Sequence, residues 1–129
     1  YSLVQWTPYT KYTSWCNSEG YADPSLMDTA LARIKYEIEN NIQWIGRGDF
    51  SHMTFRDFSV SELTVSELAS AFMLCYERPE DQSSSAQAYR GTLAEKWYKY
   101  LTGKEPLKPN KRKKKKYNFI LFNKRRRIA

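Results

Sequence analysis

Few residues in this sequence have the types and spacing that chemistry needs. The first group is Gln5-Trp6-Thr7, an amide, an indole and a hydroxyl in a row, set between the apolar pair Leu3-Val4 and Pro8. Leu3 and Val4 favour a buried, extended backbone. Proline suits the first position of a helix, where its missing N–H costs nothing. A short extended segment that delivers an amide and an indole at a helix start can form one wall of a carbohydrate cleft. It can equally be a buried edge whose indole is core, and a motif this short does not separate the two. The second group is Tyr76-Glu77-Arg78-Pro79, at the expected end of a helix, where a side chain can turn into a cleft. A carboxylate beside a guanidinium favours its charged form and makes a poor proton donor, so Glu77 is not assigned as a general acid.

The remaining candidates point to bland roles. Glu37 and Glu39 are two carboxylates on one helix, but residues two apart face different sides. With Arg33 and Lys35 they read as a solvated face. His52 lies in a polar loop between Gly48 and Thr54, with no sign of a catalytic pairing with a cysteine. Two cysteines, Cys16 and Cys75, do not make a disulfide framework; both fall on expected helices and read as small apolar groups with free thiols. One His and two separated Cys do not make a zinc spacing. The five glycines hold neither a phosphate loop nor a dinucleotide fingerprint. The sequence therefore calls for no metal and no cofactor.

The elements that must position these groups are mostly helical. Pro8 to about Asn17 reads as a short helix closed at Gly20. Ser25 to Ile45 carries Met27, Leu31, Ile34, Ile38, Ile42 and Ile45 every three or four residues, an apolar stripe expected to be core, with Gly46 and Gly48 as the stop. Met53 to Val60 is a short helix or turn. Thr64-Val65-Ser66-Glu67 has the form of a capping box and opens a helix with Leu68, Ala71, Phe72 and Cys75 inward, ended by Pro79. Glu80 to Ala88 reads as a mobile loop. A last helix runs from about Tyr89 to Leu101, with Tyr89, Leu93, Trp97, Tyr100 and Leu101 available inward.

At 129 residues the chain is expected to hold one domain with a modest core. Ten Tyr and four Trp suit a sugar-stacking cleft or any small core. There is no apolar run of membrane-spanning length and no signal-peptide pattern at the start. The whole-chain charge of +7 is unevenly placed. Between Lys104 and Ala129 eight Lys and four Arg stand against one Glu, a net +11, so the first 103 residues are net −4. Nucleic-acid or membrane binding must then rest on the tail alone. Pro106-Leu107-Lys108-Pro109 makes a stiff exit. The block Lys111 to Lys116, the apolar six Tyr117-Asn118-Phe119-Ile120-Leu121-Phe122 and the basic run to Arg127 follow. The six can dock as a strand on another protein, sit at an anionic lipid interface or accompany contact with DNA.

Leu3-Val4-Gln5-Trp6-Thr7-Pro8 resembles the G-L-x-Q-W-T-P segment of the phage tail lysozyme family, a branch of the lysozyme-like superfamily. Asn40-Asn41-Ile42-Gln43-Trp44-Ile45, Met53-Thr54-Phe55 and Phe72-Met73-Leu74-Cys75-Tyr76-Glu77-Arg78-Pro79 follow in the family's order. Gly91 to Gly103, with Ala94-Glu95-Lys96-Trp97-Tyr98 inside, is similar to its last helix. The resemblance covers Tyr1 to about Gly103. It implies a mainly α, lysozyme-like helical domain over residues 1–103, with one short extended segment at the N-terminus and a basic tail over 104–129.

The resemblance also implies an activity: a phage virion-associated glycoside hydrolase cleaving the β-1,4 bond between N-acetylmuramic acid and N-acetylglucosamine in host peptidoglycan. Local wall cleavage would let the tail penetrate during genome ejection. A protonated glutamate would donate to the leaving oxygen. In the family that glutamate lies in an E-S helix end before the Q-W-T-P segment. It is therefore expected upstream of Tyr1, the present residues being the C-terminal part of the domain. Gln5 and Thr7 would hold the sugar or the attacking water, Trp6 would pack under the sugar or brace the cleft floor, and Tyr76 would line the site. Lytic transglycosylases of the same superfamily keep a tyrosine at a similar place. Retaining, inverting and transglycosylase outcomes stay open, because carboxylate spacing decides between them. The implied partners are glycan strands and other virion or tail proteins, including the missing N-terminal part. The alternative is a structural virion protein that keeps the fold without the activity.

Overall fold

Five α-helices make the architecture: α1 (Thr10–Ser18), α2 (Met27–Asn40), α3 (Phe55–Ser59), α4 (Val65–Phe72) and α5 (Ser84–Thr102). A 3₁₀ turn, Gly48–Phe50, precedes α3, and a π turn, Met73–Glu77, extends α4. The computed structural model describes Val4 and residues 6–108. The expectations for Leu3, for Gln5 and for the tail from Pro109 onward, including its protein, lipid or DNA contacts, lie outside the described residues. Among the described residues there is no strand, so the mainly α class holds. None of these helices is long and apolar enough to cross a membrane.

Of the opening segment, Val4, Thr7 and Pro8 lie in bends, and the Trp6 N–H donates to the Val4 carbonyl (3.1 Å). The first helix starts at Thr10 rather than at Pro8. Gly20 takes the left-handed conformation that closes it (φ +79°). α2 stops earlier than its glycines suggest. Asn41 adopts φ 49°, the Ile42 N–H donates to the Glu37 carbonyl (2.9 Å) and the Asn41 N–H to that of Ile38 (3.5 Å), a Schellman closure. The Asn41 side-chain oxygen also accepts from the Phe55 N–H (2.9 Å), which ties the helix end to α3.

Two expectations about faces are corrected. The apolar stripe of α2 is only partly core: Ile34 and Ile38 pack inward, but Met27, Leu31, Ile42 and Ile45 are exposed. The buried face is instead Thr29, Ala30, Arg33 and Glu37, rotated by roughly a third of a turn from the stripe. That face can be buried because Arg33 and Glu37, one turn apart, satisfy each other. The face read as solvated therefore splits. Lys35 and Glu39 form an exposed pair (3.9 Å), while Arg33 and Glu37 are interior.

The second correction concerns α5. It begins at Ser84, because Ser83 caps it by accepting from the Ala86 N–H (3.2 Å), so most of the expected loop over 80–88 is helix. Tyr89, Leu93, Trp97, Tyr100 and Leu101, expected inward, are all exposed. α5 buries Gly91 instead. A Cβ at Gly91 would come within 2.2 Å of the Ser66 hydroxyl oxygen, so the glycine sets how closely α5 lies on α4. The α4 capping box is present as expected: the Thr64 hydroxyl accepts from the Glu67 N–H and the Glu67 carboxylate takes the Thr64 N–H (3.0 Å). A second box, Thr54 with Asp57, opens α3.

The core has two lobes. Trp6, Tyr12, Trp15, Cys16 and Ala30 form one; Trp44, Phe55, Ala71, Cys75 and Tyr76 form the other. Val4 and Ile34 pack against both. Both cysteines are free and buried.

Candidate active-site scaffold

The polar centre of the molecule is Glu37, which is fully buried. α2 supplies it and also supplies Arg33, whose Nε donates to Glu37 Oε1 at 2.8 Å. The opening segment supplies Trp6, whose indole N–H donates to the same oxygen at 2.9 Å. The π turn supplies Tyr76, whose hydroxyl donates to Oε2. A carboxylate is acceptor-only, and here three donors from three elements converge on its two oxygens.

Each donor is held from behind. Trp6 stacks on Tyr12 (centroids 4.3 Å, planes 15° apart). Arg33 lies over the rings of Trp15 and Tyr36 (5.3 and 5.5 Å), favourable contacts for a guanidinium. Tyr76 stacks on Phe72 (4.6 Å) and leans on Phe55 (5.1 Å). Burial and the hydrogen bond to Glu37 push the Tyr76 hydroxyl far above the ordinary tyrosine range, which keeps it a donor. Burial likewise raises Tyr12, to about 12, and the Cys75 thiol.

The π turn that carries Tyr76 is stitched on both sides. Arg78 closes it in a left-handed conformation (φ 49°), its N–H donating to the Met73 carbonyl (2.8 Å). The Arg78 guanidinium donates to the carbonyls of Gln43 (2.5 Å) and Cys75 (2.8 Å). The Ile45 N–H donates to the Cys75 carbonyl (2.9 Å). Glu77 pairs with Arg90 of α5 rather than with its neighbour Arg78. π turns within α-helices are frequent at functional positions.

Of the residues expected at a site, Trp6 and Tyr76 are brought together on one carboxylate. Thr7 is exposed beside Trp6, and Gln5 lies outside the described residues. Neither ring is open to solvent: Trp6 is 5 % exposed and Tyr76 0 %. Sequence reasoning missed Glu37 and Arg33. The signal was their i,i+4 spacing next to the small pair Thr29-Ala30, but the stronger isoleucine stripe pointed elsewhere. Among the described residues no cluster of His, Cys, Asp or Glu could hold a metal ion.

In a mainly helical body, Trp6 of the opening segment and Tyr76 of the π turn thus meet on one buried carboxylate. A sequence profile of the phage tail lysozyme family matches residues 1–101, and the chain belongs to that family. Morphogenesis protein 1 of Bacillus phage B103 is 45 % identical to it over 104 residues, 81 % of this chain and 27 % of that protein. The chain thus spans about a quarter of the length of this curated relative.

Proposed function

We propose that these residues form the substrate-cleft part of a virion-associated lysozyme that cleaves β-1,4 bonds of host peptidoglycan as the phage tail penetrates the wall. Family membership supports a glycosidase, and the phage relative supports a virion role. The observation that carries the reading is the meeting of Trp6 and Tyr76, far apart in sequence, on Glu37. It joins the two segments that the resemblance assigns to the cleft.

In this reading Trp6 and Tyr76 brace the cleft floor, a role their burial supports, and Gln5 and Thr7 contact the sugar or the attacking water. Glu37 is not the general acid. Such a group must reach the leaving oxygen within hydrogen-bond distance, and Glu37 is sealed with its oxygens already engaged. The general-acid glutamate belongs to polypeptide upstream of Tyr1.

The test is wall digestion by the natural polypeptide that carries these residues. Soluble muropeptides with new reducing ends are expected, and anhydromuramic ends would make the enzyme a lytic transglycosylase. Gln5→Ala and Thr7→Ala are expected to remove most of the activity without changing the far-ultraviolet circular dichroism. Intact wall after exposure to folded wild-type polypeptide would leave a structural virion protein.

A further inference from the structure

We infer that Glu37 is a positioning residue: its carboxylate, charge-balanced by Arg33, sets the orientation of Trp6 and through it the backbone that carries Thr7. The inference rests on the lysozyme reading for its catalytic consequence, and on geometry alone for the positioning.

Within the described residues of the opening segment, the Trp6 N–H donates to the Val4 carbonyl and the Lys11 N–H to the Pro8 carbonyl (3.0 Å), both local bonds. The indole N–H to Glu37 is a side-chain bond that fixes the segment to a distant element, and it is buried. Stacking on Tyr12 fixes the ring plane but leaves the ring free to slide within it. The bond to Glu37 removes that freedom. Tyr76 reaches the other oxygen, so the same carboxylate sets the distance between the opening segment and the π turn.

A carboxylate is needed where an amide would nearly fit. Glutamine has one acceptor oxygen, which Trp6 and Arg33 would share, and it would turn an NH₂ toward the Tyr76 hydroxyl. It would also leave the Arg33 guanidinium, only 7 % exposed, without a counter-charge. Arg33 would then be pushed toward solvent, taking its contacts with Trp15 and Tyr36 with it. Displacing reacting groups by about 1 Å can cost on the order of 100-fold in rate. Glu37 therefore acts on turnover through Trp6 without touching substrate.

The experiment labels the natural polypeptide with 5-fluorotryptophan and assigns the Trp6 fluorine resonance with Trp6→Phe. Glu37→Gln, Glu37→Asp and Tyr76→Phe are then compared with wild type. Tyr76→Phe keeps the ring and deletes one donor, so it stays informative where Glu37→Gln fails to fold. The expected result is a shifted or broadened Trp6 resonance in Glu37→Gln, a smaller change in Tyr76→Phe, and partial recovery in Glu37→Asp, which keeps the charge. Turnover of peptidoglycan is expected to fall about 10- to 100-fold in step with the resonance, with KM changed far less. An unmoved Trp6 resonance in folded Glu37→Gln or Tyr76→Phe overturns the inference. So does a moved resonance with wild-type turnover. Wild-type polypeptide that cleaves no wall defeats the lysozyme reading and the catalytic half of the inference together, while the fluorine spectra still decide the positioning half.

Discussion

At the scale of single residues, the chemistry of this chain is concentrated on buried hydroxyl and indole donors, and burial keeps the hydroxyls protonated. Tyr76 is raised far above the ordinary tyrosine range, chiefly by burial and then by its bond to Glu37. Tyr12 is raised to about 12 by burial and the neighbouring Cys16. A group whose folded pKa lies above its unfolded value contributes stability that is complete below the unfolded pKa, near 10 for tyrosine, and is lost as pH rises through the folded value. Both residues should thus support the fold fully below about pH 10. Tyr12 should stop doing so as pH climbs toward 12. Ultraviolet titration of tyrosinate is expected to show at least two hydroxyls that ionise only with unfolding. Tyr76→Phe should remove one of them. As many late-titrating tyrosines in that variant as in wild type, or none in wild type, would contradict this assignment. None of this follows from the sequence, where Tyr12 and Tyr76 are two of ten tyrosines. Burial, not residue type, separates them from the exposed Tyr89 and Tyr100.

At the scale of elements, one local rule was readable where a side chain satisfies its own backbone. The Thr64 box was legible because Ser/Thr-x-x-Glu answers two orphan N–H groups with neighbours in sequence. The Thr54 box does the same with Asp57, an acid that the aromatic run around it concealed. Thr64→Ala is expected to cost about 1 kcal/mol in urea unfolding at neutral pH, with Thr64→Ser recovering most of it. For α3 the prediction is one of pH. The Thr54 N–H and hydroxyl hold the Asp57 carboxyl below its ordinary value. The box then contributes above the unfolded carboxylate pKa of about 4 and is lost as pH falls through the lower folded value. The stability gap between wild type and Thr54→Ala should accordingly close on acidification below about pH 4; a gap that widens would mean the carboxylate does not hold the cap. Helix faces were less legible. The period of α2 was right, but its orientation was set by a buried ion pair that a hydropathy pattern treats as surface.

At the scale of the whole molecule, apolar side chains divide into those the fold covers and those it leaves to solvent, and sequence pattern alone mixes the two. Trp6 and Trp97 are both tryptophans that the sequence offers to a core, yet the first is 5 % exposed and the second 60 %. On α5 the exposure of the aromatic face goes with the burial of Gly91. That glycine lets α5 lie close on α4 through a small residue, while Tyr89, Leu93, Trp97 and Tyr100 face outward, where Trp97 and Tyr100 meet only edge to face (5.6 Å). Sequence periodicity registers that four residues share a face; it does not register that a glycine on another face makes the contact. Substitution should expose the division. Trp6→Ala removes a buried ring, its stack on Tyr12 and a donor to Glu37, and is expected to cost about 3–5 kcal/mol. Trp97→Ser and Tyr100→Ser remove side chains that solvent already reaches, and should each shift stability by no more than about 0.5 kcal/mol. Urea midpoints measured on the natural polypeptide that carries these residues compare the three directly. A loss of several kcal/mol in Trp97→Ser would mean that α5 packs by its aromatic face in solution, and that the close approach of Gly91 to Ser66 does not set its orientation.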